Sequence, residues 1–349
     1  MVDMASHRWR IDRFKNSQTM NPLTYSRRRL FLLLALIGSL FLAYLSGWRE
    51  VGIDRYNYLQ MYRGVIINSE WTIKLWYAKD VMFLLIATVS NYFSEDAKWA
   101  FFIVCFLSVA TKYLAVRRIA PQYTLGFISA YAVFLSPGLE FAAMRGALAI
   151  GFLMLALSFR DKKLPCIVFS LLAFASHISS LLALVFVLEK VQKLLTKNKV
   201  LYLAIVVSIS LLGSILLGLF PHGVNYENNR GTIFAYTEPF ATLLIALLIF
   251  YRVDKVCIHH PDDSVYKFIA KLRPIVYGLI AIAFGISSVV VTAATRYLEI
   301  SWCLMLLGSV VLFRKSYINL LGGLLLLSFL SYINILRLTW LAIIYPGLG

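Results

Sequence analysis

Runs of predominantly apolar residues, roughly 17 to 25 long, recur along this chain from Leu30 almost to its end, and each can cross a bilayer as a helix. Hydrocarbon offers the backbone no hydrogen-bond partners, so segments that cross it must satisfy their own peptide groups, and runs of this kind do so as helices. Composition agrees, with 60% hydrophobic and 15% charged residues, against about a quarter charged in a soluble domain. The expected fold is all-α, a polytopic membrane helical bundle. It forms a single transmembrane domain over residues 29–349 behind a basic cytoplasmic tail, residues 1–28.

A net charge of +17 does not point to nucleic acid here. Lys and Arg gather in short loops between the apolar runs, the pattern by which a membrane protein fixes its orientation. Cys105, Cys166, Cys257 and Cys303 show no paired spacing and are read as free thiols. No metal-ligand spacing occurs, and His259-His260 beside Asp262-Asp263 reads as a solvated loop, so neither metal nor cofactor is expected. Leu30 to Leu45 is at spanning length behind Arg27-Arg28-Arg29, with no small-residue cleavage site after it, and reads as a first helix rather than a removed signal.

With Arg27-Arg28-Arg29 in the cytoplasm, helix 1 (about 29 to 47) exits, and Lys112 with Arg117-Arg118 forms the next basic flank. Residues 48–98 then form a first external loop. Val81 to Phe93 inside it is apolar but short for a span, and reads as an interfacial helix; if it crosses, every later orientation inverts. Further spans are expected over Thr124 to Ser136 and Leu139 to Phe159, with Pro137-Gly138 as an external turn. The segment from Leu164 to Lys199 has basic residues at both ends, which two short helices meeting around Ser176-His177 satisfy and one helix does not. Val200 to Phe220, Phe240 to Tyr251, Ile275 to Val291, Tyr297 to Phe313, Ile318 to Ile333 and the short Leu338 to Ile344 complete about 11 spanning segments. A second external loop covers 221–239 and a cytoplasmic loop covers 252–273.

Several arginines break the charge rule by falling on the external half: Arg49, Arg55, Arg63, Arg145, Arg230, Arg296 and Arg337. Arg145 lies past the Pro137-Gly138 turn in FAAMRGALAIGFL, and Arg296 follows the polar break SSVVVTAAT. An ionised side chain at a helix centre costs about 2.5 to 3.5 kcal/mol on insertion scales, so such residues generally face a wet cavity or a partner. Glu140 and Glu299 are local partners for Arg145 and Arg296, and His177 can serve as an interhelical hydrogen bonder. Taken together, the arginines and His177 suit an external cavity for an anionic substrate, because guanidinium forks hold phosphate oxygens and stay charged when desolvated. Asp54, Tyr58 and Tyr62 follow at i, i+4 and i+8, on one face if the segment after Gly52 is helical. An acid there can serve as a general base, and the tyrosines can stack on sugar rings; the alternative is an aromatic belt with a structural Asp cap.

WREVGIDRYNYLQMY, from Trp48 to Tyr62, resembles the R-x-x-G-x-D-x-x-x-Y element that follows the first helix in the EpsG/Wzy family of bacterial polysaccharide polymerases. MRGALAIGFLMLAL resembles that family's arginine-led helix, SHISSLLAL its histidine-serine break and TRYLEI its late arginine helix, in the family's order from Arg49 to Glu299. Gly146 stands after Arg145 where the family usually has Gln or Asn, and Arg55 separates Asp54 from Tyr56. The resemblance implies a GT-C-like membrane glycosyltransferase in the bacterial cytoplasmic (inner) membrane, its site facing the periplasm or exterior. It would polymerise polyprenyl-diphosphate-linked (undecaprenyl diphosphate) repeat units for O-antigen, lipopolysaccharide or another surface polysaccharide, with a chain-length regulator as candidate partner. On that reading Arg145 and Arg296 stabilise the departing diphosphate, Asp54 or His177 takes the hydroxyl proton, and Arg49, Tyr58, Tyr62 and Arg230 bind substrate. A ligase for finished glycan, a flippase and a membrane acyltransferase are the rival readings; no internal repeat of the transporter kind is visible.

Overall fold

The computed structural model describes residues 22–48, 55–187, 236–260, 263–287 and 291–312, with Ser208 standing apart. Among the described residues there are helices and turns and no strand. Helix α1 spans Pro22–Trp48. It is followed by α2 (Arg55–Ile67), α3 (Trp71–Ala78), α4 (Val81–Phe93) and α5 (Ala97–Ile119). Then come α6 (Thr124–Phe134), α7 (Met144–Ser158), α8 (Lys163–Ser176) and α9 (Ser180–Val187). The last described helices are α10 (Thr237–His259), α11 (Ser264–Ala270), α12 (Arg273–Ser287) and α13 (Val291–Leu312).

Three helical stretches among the described residues are long and apolar enough to cross a bilayer: Ala97–Ile119, Ser264–Ser287 and Ala294–Leu312. Leu33–Trp48, Val81–Phe93, Met144–Ser158 and Lys163–Ser176 are apolar but shorter. The chain is a multi-pass membrane protein. The spans expected over Val200 to Phe220, Ile318 to Ile333 and Leu338 to Ile344 lie outside the described residues.

Among the described residues, helix α7 is the most fully enclosed. Its apolar residues run all round the helix, the pattern of a segment with no water-facing side. Met144 and Gly146 to Ser158 are all buried, with α5 and α8 packed along it and α9 and α13 also touching it. Helix α1 lies along α5, while α12 pairs with α13 and α10 leans on both. On α1, Leu33, Leu36, Ile37, Leu40, Phe41 and Tyr44 stay exposed at helical spacing, an apolar stripe suited to lipid rather than to water.

Several expectations meet the structure directly. The helix pair meets where the flanking charges require it, α8 ending at Ser176 and α9 starting at Ser180. The short apolar helix has the expected bounds, Val81–Phe93. Three expectations need correction. Lys112 is not part of a wet basic flank: it is fully buried against α7, and only Arg117 and Arg118 are exposed at that helix end. Its position one turn after Ser108 places it on the face of α5 that packs inward. Helix α7, expected from Leu139, starts at Met144, because Ser136–Leu139 forms its own single turn and Glu140 to Ala143 are non-helical. Arg145 therefore stands in the first turn of its helix, not inside it. Beyond Tyr251, α10 continues through Arg252 and Lys255 to His259.

Candidate active site

Arg145 reaches back to the junction between α3 and α4. Its Nη1 donates to Asp80 Oδ2 in a close ion pair and to the Ala78 carbonyl at 3.3 Å. Its Cζ lies 5.7 Å from the centroid of the Tyr58 ring, within cation–π range. Its Nε is buried and has no hydrogen-bond partner among the described residues. Glu140, the nearer acid in sequence, is engaged elsewhere, by Lys112.

The local structure explains how Asp80 gets there. Helix α3 ends on Lys79 in the left-handed conformation at φ 63°, which turns the chain sharply before α4. Asp80 then occupies the N-cap position of α4 with extended backbone but makes no side-chain cap bond. Its carboxylate is held instead by Arg145 and by a backbone bond from Ile178 in the α8–α9 break. Asp80 lies in the turn between α3 and α4, outside the helices long enough to cross a bilayer, and burial pushes its carboxyl up to about 6 against the opposing pull of Arg145 and Lys79.

His177 caps the end of α8 and meets the same group of residues. Both the Arg145 and Arg296 guanidiniums lie within electrostatic range of its ring, and the two arginines lie within range of each other. The Ser179 N–H donates to His177 Nδ1 at 3.1 Å, with Ser179 Oγ at 3.0 Å. That bond makes Nδ1 an acceptor, so the neutral ring carries its proton on Nε2 and offers a donor there. Gly146 lies beside the ring: a Cβ there would meet His177 Cδ2 at 3.9 Å, an ordinary van der Waals contact.

Arg296, in the second turn of α13, takes the local partner its sequence offers: Nη1 donates to Glu299 Oε2 at 2.9 Å and Oε1 at 3.2 Å. Glu299 is buried and Arg296 is part-exposed, so the carboxylate anchors a guanidinium that still reaches accessible space. Next to it Thr295 Oγ1 donates to Glu238 Oε2 at 3.4 Å, which brings the start of α10 to the same end of the bundle.

Of the residues picked out in the sequence, Tyr58, Arg145, His177 and Arg296 come together. Tyr58 is buried, its ring in contact range of Phe83, Phe101 and the Arg145 guanidinium. Tyr62, one turn on, is buried too, but its hydroxyl donates to the Ser94 carbonyl at 3.3 Å at the far end of α4. Arg49, Asp54 and Arg230 lie outside the described residues. Asp80 is the residue the sequence did not disclose; an acid directly before an apolar helix reads as a cap.

A family model for the EpsG family matches residues 32–344. The chain belongs to the EpsG family. EpsG-like proteins are polysaccharide polymerases, and the four elements of the sequence resemblance fall inside the matched region. No curated protein sequence and no solved structure matches the chain. In this EpsG-family bundle the arginine-led helix, the histidine break and the late arginine helix contribute Arg145, His177 and Arg296 to one end of the bundle, with Asp80 ion-paired to Arg145.

Proposed function

We infer that this EpsG-family protein is a membrane glycosyltransferase of the GT-C kind, a bundle of about 11 spans that polymerises polyprenyl-diphosphate-linked oligosaccharide repeats. Its site faces away from the cytoplasm, and the product is O-antigen or another surface polysaccharide. The supporting observation is that Arg145 and Arg296, from helices far apart in the chain, lie within electrostatic reach of one another and of His177. Each guanidinium is paired with one carboxylate and has further N–H donors, so a lipid diphosphate reaching both would be held by two cations already fixed in place.

In the reaction, a sugar hydroxyl of the incoming repeat attacks the anomeric carbon of the growing chain. The new C–O glycosidic bond forms while the bond to the diphosphate breaks, and the polyprenyl diphosphate leaves with the electron pair. Arg145 and Arg296 would stabilise the charge developing on that leaving group. Each is held in advance by a carboxylate, Asp80 or Glu299, so little reorganisation is needed at the moment of transfer. The His177 Nε2–H is a further donor to the diphosphate or to a sugar oxygen. The hydroxyl proton passes to a carboxylate, Asp54 or Asp80. Arg49, Tyr58, Tyr62 and Arg230 are proposed to orient the glycan, and a chain-length regulator is a proposed partner.

The test is glycan length in a host deleted for this gene and complemented with Arg145→Ala or Arg296→Ala, with membrane insertion checked by immunoblot. Each variant should insert normally and lower long-chain glycan about a hundredfold or more. Wild-type ladders from both variants defeat the diphosphate role. The deletion itself separates the rivals: single repeats on the acceptor lipid mark a polymerase, none at all a ligase, and repeats trapped on the cytoplasmic face a flippase.

A further inference from the structure

An ammonium group is buried in the middle of this bundle. Lys112 on α5 and its partner Glu140 both have side chains that are 0% exposed. Lys112 Nζ donates to Glu140 Oε1 at 3.1 Å, to Ser108 Oγ at 2.5 Å and to the Ala147 carbonyl at 2.7 Å. With a longer contact to the Ser108 carbonyl at 3.4 Å, all three donors of the ammonium are engaged. Glu140 Oε1 also accepts from Ser108 Oγ at 2.8 Å and from the Tyr131 hydroxyl at 2.5 Å. The Glu140 backbone carbonyl accepts from Ser46 Oγ on α1 at 3.0 Å.

Stability does not account for such a pair. Desolvating two charges costs about as much as their attraction returns, and apolar side chains of similar volume often serve a bundle equally well. What the pair has is a grip on the chain around Arg145. Glu140 precedes Arg145 by five residues and Ala147 follows it by two, and a single ammonium holds both. Helix α7 packs closely on α5 one turn beyond this clamp: a Cβ at Gly151 would stand 2.1 Å from Thr111 Oγ1.

We propose that Lys112 and Glu140 are positioning residues that fix both sides of the first turn of α7, set the aim of the Arg145 guanidinium, and thereby tune the site's affinity for a lipid diphosphate. The inference rests on the anion-binding role proposed for Arg145. Neither residue touches substrate; both act through Arg145.

The test uses the full-length protein in nanodiscs with farnesyl diphosphate, a short polyprenyl diphosphate, and reads dissociation constant and binding stoichiometry separately. Lys112→Met is combined with Glu140→Met, because removing one partner leaves an uncompensated buried charge. The double variant should keep full stoichiometry while its dissociation constant rises about tenfold. Arg145→Ala should weaken binding at least as much, and adding the two Met substitutions to it should weaken binding no further. Wild-type affinity in the double variant, or a loss that adds fully to that of Arg145→Ala, overturns the proposal. If the double variant loses stoichiometry, Tyr131→Phe decides, since it removes one bond to Glu140 and leaves the ion pair. A loss of about threefold at full stoichiometry that vanishes in the Arg145→Ala background supports positioning, and unchanged affinity overturns it. Wild-type affinity in Arg145→Ala removes the anion-binding reading and this inference together, an outcome distinct from failure of the clamp alone.

Discussion

The Arg145 guanidinium is ion-paired with the Asp80 carboxylate, 65 residues earlier in the chain, and the pair ties the first turn of α7 to the junction between α3 and α4. Both partners are largely buried, with 14% and 7% of their side chains exposed. Removing one leaves the other as an uncompensated charge, at a cost of about 3 kcal/mol. Asp80→Ala should therefore lower the melting temperature of the detergent-solubilised protein by several degrees. Asp80→Ala combined with Arg145→Ala should recover most of that loss and still make no long glycan. A double variant as unstable as Asp80→Ala alone would show that the ion pair is not what couples the two segments.

The same carboxyl gives a pH dependence with a definite sign. Its folded value of about 6 lies above the ordinary carboxylate range, near 3.9 in an unfolded chain. The folded state thus binds this proton more tightly, and the stability it contributes is fully present below about pH 4 and lost as pH rises through about 6. Between about pH 5 and pH 7.5 the wild-type melting temperature should fall relative to that of Asp80→Asn, which has no proton to lose. A constant difference across that window excludes ionisation of Asp80 there.

What the sequence disclosed and what it hid follow from the range of the interactions involved. The break at Ser176-His177 was legible because one helix between two basic flanks violates the charge rule, a constraint written in neighbouring residues. The Arg296–Glu299 pair was legible because it is one helical turn long. Lys112 was misplaced because a lysine near the end of an apolar run normally faces water, and its partner Glu140 lies beyond an intervening helix. Asp80 was missed for the same reason: its partner is set by how α7 packs in the bundle, which no local spacing records. The late start of α7 was hidden because the interruption at Ala143, with φ −107° and ψ 42°, falls within an apolar run whose residue types do not mark it.

Gly151 marks a close approach of α7 to α5. A Cβ there would meet Thr111 Oγ1 at 2.1 Å and the Ser108 carbonyl at 3.0 Å, and the second contact is backbone that cannot turn aside. Gly151→Ala should cost about 1 to 3 kcal/mol as the two helices are pushed apart. Thr111→Ala in the same chain should restore part of the loss by removing the nearer contact. Thermal melts of the single and double variants measure both effects. An undiminished melting temperature in Gly151→Ala would mean the helices are not packed this closely.

His177 distinguishes a donor from a hinge. The Ser179 N–H occupies Nδ1, so any contact with substrate falls to Nε2–H. His177→Gln places an amide donor near the Nε2 position and gives up the bond to Ser179. His177→Asn keeps an acceptor near Nδ1 and gives up the outer donor. If the outer donor stabilises the transferring diphosphate, as proposed, Gln should retain about a tenth of the long glycan and Asn far less, in line with the loss of one oriented donor. The measurement is the glycan ladder of each variant at matched membrane levels. An Asn variant that outperforms Gln would reassign His177 to holding the turn between α8 and α9, and would leave the diphosphate to the arginines alone.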